Sequence, residues 1–433
     1  MEFWTKRTFK SIFLPGAVIL LLASLLLETG WVAILPSGVN FFYYAVFIAA
    51  GLLAWRFHST RVLFSVIVLL LGHHALEFFS EGRGMATVPG RIAFEAVAFL
   101  LPLNFILLTF FPERSAERRI LAWFLVLLFF ESVFVAAISR PDQFAPGFLH
   151  FSLIPSYHPR LPQPAMLVFI AAIGFLLFRL LQFHKAIESG MLWSLIAAWL
   201  GLQAGGAGKI GSAYFGVAAL VLASSIVENS YSLAYHDELT GLSSRRAFND
   251  ALLRLKAPYA IAAVDIDHFK SINDNYGHDT GDQVLRLVAS QIARVGGGGK
   301  AFRVGGEEFT ILFPNRTAKE VTDYLELLRL NIENFAFRVR SGQERRKTRR
   351  DSDRRTKSDR RTTRETNSGV LSVTVSIGLA ECQPKFNVEE VIQQADKALY
   401  RAKQGGRNRL ETAEVSRKRL SPRKPKSKKA GIS

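Results

Sequence analysis

The first 229 residues of this 433-residue chain consist mainly of long apolar runs separated by short polar segments. Most runs are long enough to cross, as helices, the roughly 30 Å of hydrocarbon in a bilayer. The pattern predicts eight spans, with seven as the alternative because the seventh run is short and flanked by glycine. The runs cover residues 12–34, 39–55, 62–79, 92–111, 120–138, 165–183, 191–204 and 210–229.

The basic residues between the runs support the count of eight. With the N-terminus in the cytoplasm, ten Lys and Arg residues fall in or beside cytoplasmic loops, against five on the opposite side. Since Lys and Arg are enriched in cytoplasmic loops, this is the favoured orientation. An even number of spans also places the second half of the chain in the cytoplasm. We therefore predict an all-α membrane bundle over residues 1–229.

Several ionisable residues fall inside the predicted spans, where charge is costly and usually faces a protein interior or a cavity. They are His73, His74, Glu77, Glu95, Glu131 and Arg179. His73 and Glu77 lie four residues apart and share one face of a helix. Two interpretations stay open for this pair: a metal or proton site, or a hydrogen bond in helix packing.

The last apolar run continues into a polar helical pattern at residues 228–236. Ile226 and Leu233 are seven residues apart, which is the step of a coiled-coil seam. Residues 228–236 are therefore either a signalling helix that pairs with its copy in a homodimer or a plain extension of the last span.

Beyond residue 230 the apolar runs shorten to strand length and alternate with amphipathic helices. A buried-strand pattern at 259–264 ends in Asp265 and Asp267, and residues 303–313 predict a β-hairpin with Glu307 and Glu308 at its tip. Adjacent carboxylates repel each other unless a cation lies between them. The hairpin therefore indicates a metal–phosphate site, and a solvated tip that is acidic by chance is the alternative.

The formal net charge of +18 comes mostly from two segments. Residues 341–368 hold eleven basic and five acidic side chains, and residues 411–433 hold eight and two. The first segment has no apolar side chain with which to build a core, so we predict disorder at 341–368 and in the tail 412–433. The segment 341–368 is either a tolerated insertion or a contact for anionic lipid, nucleic acid or phosphorylation. The single cysteine, Cys382, excludes an intramolecular disulfide.

Several motifs of the second half stand in an order that resembles the GGDEF-domain diguanylate cyclases over residues 230–411. They are Asp-Glu-Leu-Thr-Gly-Leu at 237–242, Asp-Ile-Asp-His-Phe-Lys at 265–270, Asn-Asp at 273–274, Gly-His at 277–278, Gly-Asp at 281–282, Gly-Gly-Glu-Glu-Phe at 305–309, Val-Ser-Ile-Gly at 375–378, Ala-Leu-Tyr-Arg-Ala-Lys at 398–403 and Gly-Arg-Asn at 406–408. The resemblance implies an α/β mixed-sheet domain related to nucleotidyl cyclase catalytic domains. It also implies condensation of two GTP into cyclic di-GMP and two pyrophosphates by a homodimer.

The resemblance assigns metal and catalytic roles to named residues. Mg²⁺, with Mn²⁺ as the alternative ion, is expected on Asp265, the backbone carbonyl of Ile266 and Glu307. Glu308 is expected to be a second metal ligand or to remove a proton. Lys270 is expected to be catalytic together with Glu307 and Glu308, because it matches a position that binds the phosphates.

The resemblance also implies a substrate-binding set: Asn273, His278, Asp282, Lys403 and Arg407. Lys403 and Arg407 match phosphate contacts, and Asn273 and Asp282 match the residues that read guanine. A carboxylate at 282 accepts hydrogen bonds from guanine N1–H and its amino group, whereas adenine offers an acceptor at N1, so Asp282 favours GTP. His278 is expected to support its turn, with direct substrate contact as the alternative.

The chain departs from the family pattern at three places. Family members with product inhibition carry Arg-x-x-Asp just before the hairpin, where this chain has Gly296 and Gly299, so feedback at that site should be absent or weak. The basic insertion at 341–368 lies away from the matched motifs. Ser244 replaces the usual asparagine near the start of the domain, which we judge a minor change.

These observations predict a multi-pass protein of the bacterial cytoplasmic membrane with its catalytic domain in the cytoplasm. The membrane region is expected to contact lipid and to regulate dimeric catalytic domains joined through the signalling helix, and nucleic acid is not expected as the main partner. One alternative is a catalytically silent receptor for GTP or cyclic di-GMP. A cyclase for mixed dinucleotides and a membrane tether for nucleic acid are further alternatives.

Overall fold

The structure is a computed structural model. It describes residues 15–30, 36–80, 86–113, 118–140, 146–152, 154, 160–335, 337–338, 370–382 and 387–413. The chain forms two compact units, Met1–Ser232 and Leu233–Ser433. The sequence predicts disorder for 341–368 and 412–433. Residues 341–368 and 414–433 lie outside the described residues, whereas Thr412 is the last residue of a short strand paired with Leu379.

The N-terminal unit is a bundle of helices, which confirms the predicted all-α class. Its helices are α1 Gly16–Glu28, α2 Pro36–Arg56, α3 Thr60–Ser80, α4 Val88–Leu108, α5 Arg118–Ile138, α6 Gly147–His150, α7 Gln163–Phe183, α8 Ala186–Gln203 and α9 Gly208–Tyr235. Within the described ranges, six of them (α2, α3, α4, α5, α7 and α9) are long and apolar enough to cross a membrane. A helix lies in each of the eight predicted runs, and the number of spans stays a prediction.

Glu188 in the first turn of α8 is the centre of a buried ion network. Its side chain is 1% exposed, and its Oε1 atom lies 2.8 Å from Arg61 Nη1 of α3 and 2.7 Å from Arg179 Nη2 of α7. A buried carboxylate is tolerated only when it is paired and hydrogen-bonded. The network therefore joins the ends of three helices and accounts for Arg179 within a predicted span.

His73 and Glu77 of α3 face the start of α9. Glu77 Oε1 accepts a 2.7 Å hydrogen bond from the amide of Gly208 and lies 3.6 Å from His73 Nε2. Ser212 Oγ of α9 lies 3.3 Å from His73 Nε2. Glu77 thus accepts a hydrogen bond from an amide at the start of α9. These contacts favour a role in helix packing over a metal or proton site.

The C-terminal unit is a mixed-sheet α/β domain, as predicted. Its elements are β1 Ser243–Ser244, α10 Arg245–Leu253, β2 Tyr259–Ile266, α11 Phe269–Tyr276, α12 His278–Ile292, β3 Lys300–Arg303, β4 Glu308–Pro314, α13 Ala318–Glu333, β5 Phe337–Arg338, β6 Val370–Leu371, β7 Val375–Glu381, α14 Val388–Gln404 and β8 Leu410–Thr412. The main sheet has the order β1-β3-β4-β2-β7-β8. The outer pairs β1–β3 and β7–β8 are parallel and the inner pairs are antiparallel, while β5 and β6 form a separate ribbon.

Strand β2 lies at the centre of the sheet and is buried along its whole length. Alternate residues point to opposite faces of a sheet. Accordingly, Ala262 and Val264 pack in an apolar cluster with α11, α12 and α13, whereas Ile261 and Ala263 pack in another with α10 and α14. Helices on both faces thus explain why the predicted strand is a continuous apolar run.

Local sequence signals set the starts of several helices. Thr317 with Glu320 forms a capping box at α13, and Asn387 with Glu390 forms one at α14. Ser244 caps α10, and its hydroxyl donates a 2.7 Å hydrogen bond to the carbonyl of Ala234. The serine at this departure from the family pattern therefore has a structural role of its own.

Candidate active site

The acidic hairpin lies beside the end of β2 because β2 and β4 are antiparallel neighbours. Asp265 pairs with Glu308 across this ladder, and Glu307 occupies the turn between β3 and β4. Asp265 is 4% exposed, Glu307 is half-buried and Glu308 is exposed. A Cβ atom at Gly305 would overlap the carboxylate of Glu308, so a larger residue there would displace that exposed side chain. The pairing therefore brings together the three predicted acids.

Lys403 of α14 lies within this acidic group, with its Nζ atom 2.8 Å from Asp265 Oδ1. Helix α14 approaches the sheet closely at Gly378 of β7, where a Cβ atom would overlap the backbone of Ala395 and Leu399. The glycine thus lets α14 lie directly on the sheet and present Lys403 to the end of β2. The predicted phosphate-binding lysine is therefore part of the same cluster as the predicted metal ligands.

Burial and mutual repulsion both oppose ionisation of these acids. Burial raises the pKa of Asp265; Lys403 lowers this pKa and the charges of Glu308 and Asp267 raise it again. Burial also raises the pKa of Glu307, with a further rise from Asp265. A cation added beside them would favour the ionised forms.

Asp396 of α14 also faces the acidic cluster, although the sequence analysis did not select it. Burial raises the pKa of its carboxyl, and the charge of Glu308 adds to that shift. The available signal was its spacing: Asp396 precedes Lys403 by seven residues, which places both on the same face of a helix.

Asp267 follows β2 and connects three parts of the C-terminal unit through hydrogen bonds. It accepts hydrogen bonds from Thr374 Oγ1 at 2.8 Å, Ser376 Oγ at 2.7 Å and the amide of Asn408 at 3.0 Å. Asn408 and Arg407 both have positive φ angles, of 44° and 63°. The Asp267 carboxylate therefore holds the left-handed turn after α14 that carries Arg407.

The predicted guanine readers lie on neighbouring helices. Asn273 is in α11 and Asp282 is in the first turns of α12, and Gly277 with φ of 84° joins the two helices. A Cβ atom at Gly281 would overlap the side-chain oxygen of Asn273, so glycine allows the two helices to come close. The side chains of Asn273 and Asp282 are both half-buried.

The other predicted site residues are exposed. They are Lys270 on α11, His278 at the start of α12 and Arg407 in the turn after α14. In the part of the chain that the structure describes, no hydrogen bond or ion pair joins their side chains to the acidic cluster. Lys270 and Arg407 are thus exposed cations that a charged substrate can contact.

Arg303 ties the hairpin to the motif at 237–242, a link that the sequence analysis missed. Its guanidinium donates to Asp237 Oδ1 at 2.8 Å and to the carbonyl of Gly306 at 2.6 Å. Burial raises the pKa of Asp237, but the hydrogen bonds from Thr240 and Arg303 together outweigh burial and lower it. The motif at 237–242 thus stabilises the turn that carries Glu307.

The loop before β3 has glycine at both positions that carry the Arg-x-x-Asp pair in product-inhibited family members. Gly296 lies against the ring of Tyr324, which a Cβ atom would approach to 2.6 Å. A Cβ atom at Gly299 would come within 2.7 Å of Phe313. Buried packing therefore favours glycine at 299, whereas a larger residue at 296 would displace only the exposed ring of Tyr324.

Together the mixed sheet and its acidic hairpin define a domain of the nucleotidyl cyclase type. Residues 234–350 and 348–409 match the family model described as "Diguanylate cyclase, GGDEF domain". The C-terminal unit is therefore a GGDEF domain, which confirms the family predicted from the motifs.

Named relatives and solved structures are similar to the same region. Diguanylate cyclase VdcA of Vibrio cholerae is 34% identical over 182 residues, which are 41% of this chain and 46% of VdcA. Diguanylate cyclase DgcM of Escherichia coli K12 is 31% identical over 185 residues, which are 41% of this chain and 38% of DgcM. The crystal structure of the GGDEF domain of DgcB from Caulobacter crescentus in complex with c-di-GMP is 38% identical, with 42% of this chain and 94% of that chain covered and a TM-score of 0.34. The chain thus matches less than half the length of these two curated relatives.

Proposed function

We propose that the chain is a membrane-anchored diguanylate cyclase that condenses two GTP molecules into cyclic di-GMP and releases two pyrophosphates. The observation that carries the proposal is the cluster of Asp265, Glu307 and Glu308 within a domain that matches the GGDEF family. Crowded carboxylates of this kind suit a metal-bound triphosphate. Relatives named diguanylate cyclases support the same reaction.

Asp265, the carbonyl of Ile266 and Glu307 are proposed to hold Mg²⁺, with Mn²⁺ as the alternative. The carboxyls of Asp265 and Glu307 suit a divalent cation. Burial and neighbouring negative charge raise the pKa of both groups, and a divalent cation would counter this shift. Among the described residues no group of three His, Cys, Asp or Glu side chains could hold a metal; the proposed set uses two carboxylates and a main-chain oxygen. When bound, the ion neutralises charge on the triphosphate.

The reaction is proposed to need two copies of the domain, each presenting one GTP. The 3′-oxygen of one GTP attacks the α-phosphorus of the other and pyrophosphate leaves; the symmetric second step closes the ring. Lys270, Lys403 and Arg407 stabilise charge on the phosphates through fixed cations. Glu308 accepts the hydroxyl proton or completes the metal site.

Selection of guanine is proposed to rest on Asn273 and Asp282. Asp282 accepts from N1–H and the amino group of guanine, and Asn273 adds an amide contact from the adjacent helix. His278, which begins α12, is proposed to support the turn between α11 and α12.

The N-terminal unit is proposed to lie in the bacterial cytoplasmic membrane, where it contacts lipid, anchors the enzyme and regulates it. The GGDEF domain is proposed to lie in the cytoplasm. Six apolar helices and the distribution of basic residues support this location. Helix α9, which runs to Tyr235 at the edge of the GGDEF match, is proposed to pair with its copy in the homodimer.

The function is tested with the full-length protein in lipid nanodiscs, supplied with GTP and Mg²⁺. We expect cyclic di-GMP, identified by mass, with two pyrophosphates released for each product molecule. A dimeric preparation that binds GTP without turnover would instead support the catalytically silent receptor. Cyclic products from GTP–ATP mixtures that contain adenine would contradict the role of Asp282.

The glycines at 296 and 299 predict that the enzyme lacks feedback inhibition at that site. Added cyclic di-GMP should leave the initial rate at saturating GTP unchanged, because no charged pair is present to bind it. Initial rates measured over a range of product concentrations check this. A GTP titration is the control, since competition at the active site disappears at high GTP. Inhibition that persists at saturating GTP would contradict the prediction.

A further inference from the structure

Arg407 lies in a turn whose backbone adopts an unfavourable conformation. Helix α14 ends at Gln404. Soon after it, Gly406, Arg407 and Asn408 have φ angles of 111°, 63° and 44°. A left-handed backbone costs free energy in residues that carry a side chain, and it persists only where surrounding contacts fix it. The contacts of this turn therefore decide where the exposed guanidinium of Arg407 can reach.

Two main-chain contacts hold the backbone of the turn. The amide of Arg407 donates to the carbonyl of Ala402 at 3.0 Å, and the amide of Asn408 donates to Asp267 Oδ2 at 3.0 Å. These bonds set the path of the chain at both residues. They leave the side chain of Asn408 available to other partners.

The side chain of Asn408 is held by two charged residues of α13. Its Oδ1 atom accepts from Arg329 Nη1 at 2.9 Å, and its Nδ2 atom donates to Glu333 Oε1 at 2.7 Å. Arg329 Nη1 also donates to Glu333 Oε2 at 2.9 Å, which closes a ring of three side chains. Since a guanidinium only donates and a carboxylate only accepts, the ring fits one orientation of the Asn408 amide.

Arg329 is itself fixed on α13. Its side chain is 14% exposed, and its Nε atom donates to Glu326 Oε2 at 2.8 Å. Two carboxylates of the same helix thus orient the guanidinium, which loses little further freedom by binding Asn408. Arg329 and Glu333 lie 79 and 75 positions before Asn408, and neither belongs to a motif on which the family resemblance rests.

We propose that Arg329 and Glu333 are positioning residues, which act through Asn408 to hold Arg407 where its guanidinium binds the phosphates of GTP. The inference rests on the proposed function, in which Arg407 contacts the triphosphate. Because the ring orders the turn before the substrate arrives, it reduces the entropy that Arg407 loses on binding. Arg329 and Glu333 touch no substrate, so their effect on binding passes through Arg407.

A double-mutant cycle on substrate binding tests this dependence. Full-length protein in nanodiscs is dialysed to equilibrium with Mg²⁺ and 3′-deoxyGTP, which has the triphosphate but lacks the attacking hydroxyl, so that binding is measured without turnover. Arg329→Gln should raise the Kd about tenfold, as expected for the loss of one charge-assisted contact. In protein that carries Arg407→Ala, the same change should raise the Kd by less than about twofold.

Two further variants separate positioning from a general loss of structure. Asn408→Gly removes the side chain that joins α13 to the turn, and glycine tolerates the left-handed backbone, so the Kd should again rise about tenfold. Arg316→Gln is the matched control. It breaks an exposed ion pair with Glu320 at the opposite end of α13, and its Kd should equal that of the wild type.

A tenfold effect of Arg329→Gln in both backgrounds would overturn the proposal, because the effect would then not pass through Arg407. An unchanged Kd in folded Arg329→Gln, or wild-type binding by Arg407→Ala, would overturn it as well. Circular dichroism and the unfolding temperature establish whether each variant folds. If Arg329→Gln does not fold, Asn408→Gly takes its place in the cycle with the same expected results.

Synthesis of cyclic di-GMP from GTP by the wild type is measured beside the cycle. Coupling between Arg329 and Arg407 without any synthesis would support the positioning role and contradict the proposed cyclase. Synthesis without coupling would contradict the positioning role alone.

Discussion

Replacing Glu307 by glutamine is expected to abolish cyclic di-GMP synthesis by the full-length protein without unfolding it. Glutamine has nearly the same shape as glutamate but no charge, so the proposed metal site loses one of its two carboxylates. Metal ions contribute several kcal/mol of charge stabilisation in such reactions, so turnover should fall on the order of 10³-fold. Initial rates of product formation from GTP, with the product identified by mass, measure the effect.

The pKa of Glu307 explains why the fold should survive this change. Burial and the neighbouring charge of Asp265 raise the pKa, so the folded protein holds this proton more tightly than the unfolded chain does. Stability linked to this group is present at low pH and is lost as pH rises through the raised pKa. At neutral pH an uncharged glutamine should therefore leave the unfolding temperature equal to or above that of the wild type.

Glu389→Gln is the matched control for Glu307→Gln. Glu389 is an exposed glutamate in the first turn of α14, outside the acidic cluster, and its replacement should leave turnover at the wild-type level. Near-normal synthesis by Glu307→Gln would remove Glu307 from the proposed metal site. Lost synthesis with a lowered unfolding temperature would point to a structural role instead.

Replacing Asp267 by alanine is expected to produce the largest loss of stability among the site residues. The change leaves the hydroxyls of Thr374 and Ser376 and the amide of Asn408 without their acceptor. Ser376 is completely buried, so water cannot replace the carboxylate there. At about 1–3 kcal/mol for each unsatisfied buried group, with partial relaxation, we expect a loss of about 3–5 kcal/mol.

Hydrogen exchange of the full-length protein in nanodiscs measures this loss within the C-terminal unit. The slowest amides of β2 report on its global opening, and a loss of about 3 kcal/mol should speed their exchange roughly 10²-fold. Asp274→Ala, which removes an exposed acid from the adjacent α11, is the matched control and should change stability by less than about 0.5 kcal/mol. Equal exchange in the two variants would show that the Asp267 network contributes little.

The elements that could be predicted from the sequence each have a recognisable pattern within a short stretch of the chain. The buried run at 259–264 is a strand because each residue in it meets a helix on one face of the sheet or the other. Capping boxes at Thr317 and Asn387 begin helices through contacts that span three residues. The hairpin with Glu307 and Glu308 forms between two strands joined by a short turn. Such signals can be recognised in the sequence because each pattern lies within one short stretch of the chain.

The contacts that the sequence could not predict join distant residues. Asp267 accepts from Asn408, 141 positions away; Arg303 reaches Asp237, 66 positions away; Arg61 pairs with Glu188, 127 positions away. Each of these residues has many possible partners in the chain, and its position in the sequence does not show which partner it contacts. The hydrogen bond from Asn104 to Glu131 is likewise decided only by how α4 packs beside α5.

The sequence by itself therefore determined the membrane-type helices, the GGDEF motifs, and the acids and cations of the proposed site. Only the tertiary structure decided that Asp265, Glu308 and Lys403 meet and that Asp267 supports a turn. The physical reason is that local patterns specify elements, whereas the environment of a charge or a buried polar atom depends on which elements pack together.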